Sequence, residues 1–439
     1  MPFTVYVDKI RARMHSPVLL NILWLSFDKA SRLLIGMVVG IWVARYLGPS
    51  QWGELNYSLA IISILVAIAN LGMDGFLVKE IVSSPDKRNE ILGTAFITRL
   101  ILIPLGLIAA ALYLYLLDSP VNSYYILALL SPSFLIAPLD VIDLDFQSRL
   151  QSKLTVVSKN LGYFVGAAIK VYFLYSQKSL LWFAAAVGIE TVFSYLFLVF
   201  NYQRKQSILR WSFSKSRAGE LLRAGWPFMI SNIAVILYMR VDQLMIGSLA
   251  GKVELGLFSS AVKVTDIFVF IPIAVSGSYL STLVKVKKEA SDLIFIEKIH
   301  HFFVWMARLS ILIAVSVSFF SSQIVEILYG SQYSGASAIL IVHIWALVPM
   351  FLGVAAGQYL VIENLQQYNV YKTGIGLLLN VLLNLLLIPK MGALGAATAT
   401  LVSYYVSAIF SNFLFPATRK LFMHQVRSIK MILAFKWQR

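Results

Sequence analysis

Long apolar stretches dominate this chain and restrict it to a membrane-spanning fold. A helix that crosses the hydrocarbon core of a bilayer needs about 20 mostly apolar residues. Twelve segments of the 439-residue sequence meet this requirement: residues 18–44, 55–78, 92–117, 122–146, 154–176, 179–201, 220–249, 255–282, 302–325, 336–362, 369–388 and 393–416. Since lipid does not tolerate unpaired backbone groups, the sequence predicts an all-α integral membrane protein.

The composition indicates the same class. Hydrophobic residues make up 59% of the chain and charged residues only 13%, whereas soluble domains carry about 25% charged residues. The formal net charge of +16 is typical of a nucleic-acid-binding protein. However, most basic residues lie between apolar segments, where they orient helices and contact anionic headgroups. We therefore expect membrane lipids as partners and no nucleic acid.

The basic residues alternate between the two predicted sides of the membrane. If the N-terminus is cytoplasmic, about 25 basic residues fall in cytoplasmic gaps and about 4 in the opposite gaps. This pattern predicts that both termini are cytoplasmic. The most basic linker lies at the midpoint, which predicts an N-terminal six-helix half (1–203), a cytoplasmic linker (204–219), a C-terminal six-helix half (220–416) and a basic cytoplasmic tail (417–439).

A faint internal repeat supports two halves. Trp52-Gly53-Glu54-Leu55 is similar to Leu255-Gly256-Leu257-Phe258, at an offset of about 203 residues. With six spans per half, both halves enter the membrane from the same side, as in parallel repeats. We expect the two halves to surround a central cavity.

Eight basic residues lie inside the apolar segments: Lys29, Arg32, Arg99, Lys159, Lys170, Arg240, Lys263 and Arg308. Each costs roughly 2.5–3.5 kcal/mol at the bilayer centre, so we expect them to line a water-filled cavity. A cationic cavity favours an anionic substrate. For Lys159, Arg99 and Arg308 the alternative is anchoring at the cytoplasmic interface.

Four embedded acids are candidates for coupling transport to an ion: Asp28, Glu190, Asp242 and Asp266. A carboxyl in low dielectric can carry a proton unless it is paired. Asp28 precedes Arg32 by four residues, so an ion pair that fixes helix packing is the alternative to an anion site. Glu190 has no basic residue within one helical turn in the sequence, so a basic partner on another helix is the alternative to a coupling role.

Several catalytic motifs are missing from the sequence. It has no G-x-x-x-x-G-K-[ST] loop, no H-E-x-x-H motif and no cysteine. The five histidines form no metal-binding pattern, and the gaps opposite the cytoplasm are too short for a catalytic domain. The sequence therefore predicts a transporter rather than an enzyme, with no cofactor and no metal.

Two motifs carry a family resemblance. The run Val43-Ala44-Arg45-Tyr46-Leu47-Gly48-Pro49-Ser50-Gln51-Trp52-Gly53 resembles the "AR-x-LGP-x-x-[FW]-G" signature of polysaccharide repeat-unit flippases (O-antigen, capsule or exopolysaccharide). Leu71-Gly72-Met73-Asp74 with Lys79-Glu80 is similar to their "LGLD…RE" segment. These flippases belong to the multidrug, oligosaccharidyl-lipid and polysaccharide export superfamily.

The resemblance implies alternating-access translocation of undecaprenyl-pyrophosphate-linked oligosaccharide across the bacterial inner membrane, with ion antiport. It implies a lipid-linked anionic oligosaccharide as the substrate and polysaccharide assembly proteins as further candidate partners. A multidrug or organic-cation antiporter of the same superfamily is the main alternative, although its interior should be acidic. The lipid II flippase branch would add two spans, and a membrane enzyme acting on lipid-linked glycans would need a longer outer loop.

Overall fold

The computed structural model of this protein describes residues 17–289 and 291–433, which form helices joined by short turns, without a β-strand. The α-helices are α1 Pro17–Ala69, α2 Asp74–Ser83, α3 Arg88–Leu116, α4 Val121–Leu130, α5 Pro132–Leu135, α6 Val141–Ser148, α7 Ser152–Tyr175, α8 Leu180–Gln203, α9 Lys215–Leu249, α10 Lys252–Glu289, α11 Asp292–Phe319, α12 Ser321–Tyr329, α13 Ala336–His343, α14 Leu347–Ile362, α15 Tyr368–Tyr405, α16 Ser411–Leu414 and α17 Arg419–Leu433. The all-α prediction is confirmed.

Short helical turns complete the chain between these helices. A π-helical turn, Val406–Phe410, joins α15 to α16. The 3₁₀ turns are Pro85–Lys87, Ala137–Asp140, Ile208–Arg210, Ser331–Tyr333, Ile344–Ala346 and Pro416–Thr418.

The helices supply the predicted number of membrane crossings. Nine helical stretches of the described residues are long and apolar enough to cross a membrane. Two of these stretches contain a break, at Gly48 (φ 72°) in α1 and at Gly392 (φ 57°) in α15, where glycine tolerates a positive φ. When each break is counted as a boundary and the 24-residue α7 is added, the described chain has twelve membrane-length segments.

The fourth predicted span is not one continuous helix. Over residues 121–148 the chain passes through α4, α5, a 3₁₀ turn and α6. Pro132 and Pro138 each lie at the start of a new turn, because proline lacks the N–H that would continue the preceding helix. The breaks place Asp140 directly before α6, where its side chain can contact other helices.

The described chain divides into two compact units by its internal contacts. Of the described residues, unit 1 comprises residues 17–46 and Ser58–Ile236, and unit 2 comprises Leu47–Tyr57, residues 237–289 and residues 291–433. This division differs from the predicted boundary at the 204–219 linker, since the linker packs on unit 1. Trp211 Nε1 donates a hydrogen bond to the Tyr202 hydroxyl (3.1 Å). The two six-helix halves stay a prediction.

In unit 1, helices α7 and α8 lie against each other along most of their length. Gly162 and Gly166 of α7 face Ser194 and Glu190 of α8, and a methyl group on either glycine would collide with these residues. Small residues at a helix interface allow such a close approach in membranes. The approach also brings the polar side chains of the two helices into contact.

In unit 2, the segment after the Gly48 break crosses the start of α10 closely. A Cβ atom added to Gly53 would lie 1.8 Å from the Lys252 carbonyl oxygen, and one added to Gly256 would lie 1.9 Å from the Pro49 carbonyl oxygen. A shift of 203 residues maps Pro49 onto position 252 and Gly53 onto position 256. The two contacts are therefore reciprocal, which supports the predicted internal repeat.

The predicted basic tail contains a packed helix. α17 lies against α11 of unit 2 and buries Leu421, Gln425 and Ser428. Asn412 Nδ2 donates a hydrogen bond to Gln425 Oε1 (2.9 Å). The tail is thus part of the bundle from residue 419 to residue 433, and residues 434–439 lie outside the described chain.

Candidate functional site

The predicted cations of unit 1 lie against carboxylates. The ion pairs, with their N–O distances, are Arg32–Asp28 (2.9 Å), Arg99–Asp74 (2.7 Å), Lys159–Asp140 (2.6 Å) and Lys170–Glu190 (2.6 Å). An opposite charge offsets part of the cost of removing each cation from water. The interior of unit 1 therefore holds paired charges. The side chain of Lys29 lies outside the described part of the structure.

Arg32 and Asp28 belong to a hydrogen-bonded network between α1 and α7. Arg32 Nε and Asn160 Nδ2 both donate to Asp28 Oδ1, at 2.9 Å and 2.8 Å. Ser31 Oγ donates to Asn160 Oδ1 (2.9 Å), and the Tyr163 hydroxyl donates to the Arg32 carbonyl oxygen (3.1 Å). These bonds fix the orientation of the Arg32 side chain.

The Arg32 guanidinium keeps donor capacity beyond this network. Its side chain is 34% exposed, more than any other cation in the four pairs. Its Nη2 atom is buried and has no hydrogen-bond partner among the described residues. A guanidinium has five N–H donors in a planar fork that matches phosphate oxygens. Arg32 is thus the paired cation of unit 1 best placed to bind an added anion.

Lys159 lies between two carboxylates near the break in the fourth span. Its Nζ atom is 2.6 Å from Asp140 Oδ1 and 3.2 Å from Asp143 Oδ2. The Tyr195 hydroxyl of α8 donates to the same oxygen of Asp140 (3.3 Å). The structure therefore gives Lys159 two carboxylate partners within unit 1.

Glu190 has its partner on the neighbouring helix. It lies opposite Gly166 and accepts a hydrogen bond from Lys170 Nζ (2.6 Å) across the α7–α8 interface. The two side chains are 17% and 18% exposed, respectively. The partner lies 20 residues earlier in the chain, on a different helix, and therefore outside one helical turn of Glu190.

The second family motif positions the pair of Asp74 with Arg99. Leu71 and Gly72 adopt left-handed backbone conformations (both φ 57°), and this turn starts α2 at Asp74. Arg99 of α3 is fully buried, whereas the Asp74 side chain is 45% exposed. The Asp74 carboxylate therefore contacts the buried Arg99 guanidinium while part of it stays accessible from outside the protein.

In unit 2, Asp242 is the centre of a buried polar cluster. Asn384 Nδ2 donates to Asp242 Oδ1 (2.6 Å), and Thr400 Oγ1 donates to Asp242 Oδ2 (2.5 Å). Asn384 also bonds to Asn380 Oδ1 (3.1 Å), while its own carbonyl oxygen is buried without a partner among the described residues. An amide N–H and a hydroxyl thus satisfy a buried carboxylate that makes no ion pair with the described cations.

The other predicted residues of unit 2 lie outside this cluster. Arg240 Nη1 donates to Gln243 Oε1 (3.3 Å), and Lys263 Nζ lies 4.5 Å from the centre of the Trp52 ring. Asp266 interacts electrostatically with Arg240 and Lys263. Arg308 lies in α11 and forms no ion pair with any residue that the structure describes.

Sequence reasoning missed several polar residues at these sites. Lys372 is one of the basic residues that the charge count places in a cytoplasmic gap, but it lies within α15 and is only 5% exposed, without an ion pair in the described chain. Asn380 and Asn384 were not singled out either. Their i,i+4 spacing in an apolar segment was the available signal, since buried amides on one helix face need polar partners.

Comparison of the sequence with known families identifies its relatives. A family model described as polysaccharide biosynthesis protein matches residues 18–279. The chain belongs to this polysaccharide biosynthesis protein family. The capsular polysaccharide biosynthesis protein CapF of Staphylococcus aureus is 25% identical over 377 residues, which cover 84% of this chain and 91% of CapF.

A second relative has the word flippase in its name. The probable low-salt glycan biosynthesis flippase Agl15 of Haloferax volcanii is 24% identical over 378 residues, covering 83% of this chain and 76% of Agl15. The resemblance to polysaccharide flippases inferred from the two sequence motifs is thereby confirmed.

Solved structures share the fold of this family member. The lipid II flippase MurJ, in an inward closed conformation, matches with a TM-score of 0.73 at 15% identity, covering 95% of this chain and 94% of MurJ. An inward-facing multidrug resistance MATE family transporter of the MOP superfamily matches with a TM-score of 0.70 at 15% identity. The match covers 93% of this chain and 99% of that transporter chain. These likenesses show a shared fold, and the apolar helices indicate a multi-pass membrane protein.

Proposed function

We propose that this protein flips oligosaccharide repeat units linked to undecaprenyl pyrophosphate from the cytoplasmic to the outer leaflet of a bacterial inner membrane. Transport proceeds by alternating access and is coupled to ion antiport, with both termini in the cytoplasm. CapF is named for capsular polysaccharide biosynthesis and Agl15 for a flippase. These names support a surface-polysaccharide substrate such as capsule or O-antigen.

The observation that carries the proposal is the geometry of Arg32. Asp28 holds one edge of the guanidinium through Nε, and Nη2 has no partner among the described residues. A pyrophosphate oxygen can take the remaining donors in a charge-assisted hydrogen bond. Asp28 then keeps the site close to neutral when no substrate is bound.

The buried Asp242 cluster is the coupling site we favour among the four candidate acids. Its carboxylate, the Asn384 carbonyl oxygen and the Thr400 hydroxyl are oxygen donors of the kind that hard monovalent cations prefer. The same carboxylate could bind a proton instead. Asp28 and Glu190 are paired with basic residues, which makes them weaker candidates, and Asp266 interacts with two cations.

Complementation tests the proposed substrate and its site together. A strain without its own repeat-unit flippase, but with the cognate glycan pathway, receives the wild-type chain, Arg32→Ala, Arg32→Lys or the control Lys205→Ala, an exposed residue of unit 1. We expect surface polysaccharide with wild type and the control, partial recovery with Arg32→Lys and loss with Arg32→Ala at equal membrane levels. Failure of the wild type in a strain that makes the glycan would reject the proposal.

An organic-cation antiporter is the second candidate function. The observation that favours it is Asp242, since a buried carboxylate without a cationic partner in the described chain can bind a cationic drug. Drug-efflux assays in a pump-deficient strain distinguish the two functions. Resistance that depends on Asp242, without polysaccharide rescue, would replace the flippase proposal.

A further inference from the structure

A cavity of about 490 Å³ lies in unit 2 at the turn between α12 and α13. The turn begins at Gly330 (φ 86°), a backbone conformation that favours glycine. Beneath it, the rings of Tyr329 and Tyr333 are buried and their centres lie 5.3 Å apart. The volume is within the range of small-molecule sites, about 300–1,000 Å³.

Hydroxyl groups and one carboxylate form the polar lining of this cavity. The lining includes Ser322, Ser331, Ser334 and Glu326. None of these four side chains has a hydrogen-bond or ion-pair partner among the residues that the structure describes, whereas Ser337 Oγ donates to the Ser334 carbonyl oxygen (2.8 Å). The cavity thus offers several hydrogen-bonding groups to a ligand.

The rest of the lining is apolar. Val325, Ala338 and Ile341 contribute aliphatic surface. A sugar ring has hydroxyls around its edge and C–H groups on its faces, so it can use both kinds of lining. The single charge, Glu326, is negative and opposes binding of a phosphate or a uronic acid.

We propose that this outer-turn pocket binds a neutral sugar ring of the transported glycan. The pocket is chemically distinct from the Arg32 site, which suits the anionic end of a lipid-linked oligosaccharide. The inference rests on the proposed function, because the predicted orientation places the gap between spans nine and ten on the outer side of the membrane. A sugar bound there belongs to a glycan that has already crossed.

The absence of cysteine from the sequence permits a direct test. Ser334→Cys supplies a single thiol in the pocket, and Ser248→Cys supplies a matched exposed thiol of unit 2 outside it. Cells expressing either variant are treated with a membrane-impermeant maleimide, alone or with the methyl glycosides of glucose, galactose, N-acetylglucosamine or glucuronic acid. We expect at least one neutral glycoside to slow labelling at position 334 alone, and the glucuronide to have less effect.

A second measurement uses the intact pocket. Saturation-transfer NMR of the purified wild-type chain with the same glycosides should show ring-proton contacts, and Ser322→Ala combined with Glu326→Gln should weaken binding roughly tenfold. No protection and no saturation transfer with any neutral glycoside would overturn the sugar site. Preferential binding of the glucuronide would overturn it as well.

Polysaccharide rescue separates failure of this inference from failure of the proposed function. If wild type and the Ser322→Ala/Glu326→Gln variant rescue equally and no glycoside binds, the flippase proposal stands and the sugar site is wrong. If glycosides bind at the pocket but wild type does not rescue a strain that makes its glycan, the sugar site stands and the flippase proposal is wrong.

Discussion

The Lys170 ammonium lies 2.6 Å from the Glu190 carboxylate across the α7–α8 interface, and each side chain is less than one-fifth exposed. Removing one partner of a buried pair leaves an unpaired charge and costs roughly 3–5 kcal/mol. We therefore expect Lys170→Ala and Glu190→Ala each to lower the Tm of the detergent-purified protein. The charge-swapped variant, Lys170→Glu with Glu190→Lys, should recover part of the loss.

The swap also tests whether Glu190 carries a coupling ion. A structural pair predicts that the swapped protein keeps measurable transport, because the attraction between the two helices is restored. A swapped variant that is as unstable as the single variants would show that the ion pair does not hold α7 and α8 together. Normal stability without any transport would instead support a coupling role for Glu190.

Part of this site could be predicted from the sequence and part could not. The sequence identifies Lys170 and Glu190 as candidates because charged residues are rare in apolar spans. It does not predict that they pair, since the pairing depends on how two helices pack. Asp242 shows the same limit, because Asn384 and Thr400 lie 142 and 158 residues further along the chain. Periodicity within one helix carries no information about such contacts.

Asp242 gives a prediction about coupling. Asp242→Asn replaces one carboxylate oxygen by an NH2 group, which cannot accept the hydrogen bond that Asn384 or Thr400 donates at that position, and it removes the negative charge. We expect transport to lose its dependence on the ion gradient and to fall at least tenfold. Uptake or flipping assays with imposed sodium or proton gradients measure this, with Ser248→Ala as an exposed control on α9.

A second variant and one contradicting outcome complete the test of Asp242. Thr400→Val should weaken coupling less, because the carboxylate and its bond with Asn384 remain. If transport by Asp242→Asn still depends fully on the ion gradient, Asp242 is not the coupling residue. Asp28, Glu190 and Asp266 would then be the remaining candidates.

The glycine crossing in unit 2 predicts a steric effect. Gly53→Ala and Gly256→Ala would each place a methyl group less than 2 Å from a backbone oxygen, so the helices must separate. Overpacking costs about 1–3 kcal/mol or more, and we expect little folded protein by size-exclusion chromatography. Gly357→Ala in α14 is the matched control, because no atom lies within 4 Å of its added Cβ. Similar yields for all three variants would contradict the crossing.

This crossing also shows what the first family motif does structurally. The motif could be recognised by its letters, and the hydropathy pattern correctly separated the first two spans. Neither observation could show that Gly48 breaks α1 or that Gly53 faces Gly256. Glycine is required because Gly53 contacts residues about 200 positions further along the chain. A single sequence does not reveal which distant residues are in contact.

α17 provides a prediction about pH. His424 is hydrogen-bonded to His300 (2.7 Å), and burial together with the positive charges of Arg427 and Lys420 lowers the pKa of His424 below its usual 6.5. The docked helix therefore disfavours protonation. As the pH falls below about 6.5, a detached α17 gains a proton that the docked helix does not, so docking weakens.

Hydrogen exchange measures this effect. After correction for chemical exchange, amides of α17 should be less protected at about pH 5.5 than at about pH 7.5. His424→Gln cannot titrate, so the part of the loss due to His424 should disappear in this variant, while any contribution from His300 persists. Equal protection of wild type at both pH values would contradict a docked, neutral His424.

Flipping in a reconstituted membrane tests the central claim most directly. Proteoliposomes are loaded with a lipid-linked oligosaccharide in both leaflets, and a membrane-impermeant reagent that oxidises sugars reports the fraction facing outward. With the wild-type chain, the protected inner-leaflet fraction should become accessible over time, and Arg32→Ala should slow this exposure to the rate of protein-free vesicles. An inner-leaflet fraction that stays protected with correctly folded wild-type protein and an imposed ion gradient would contradict the account.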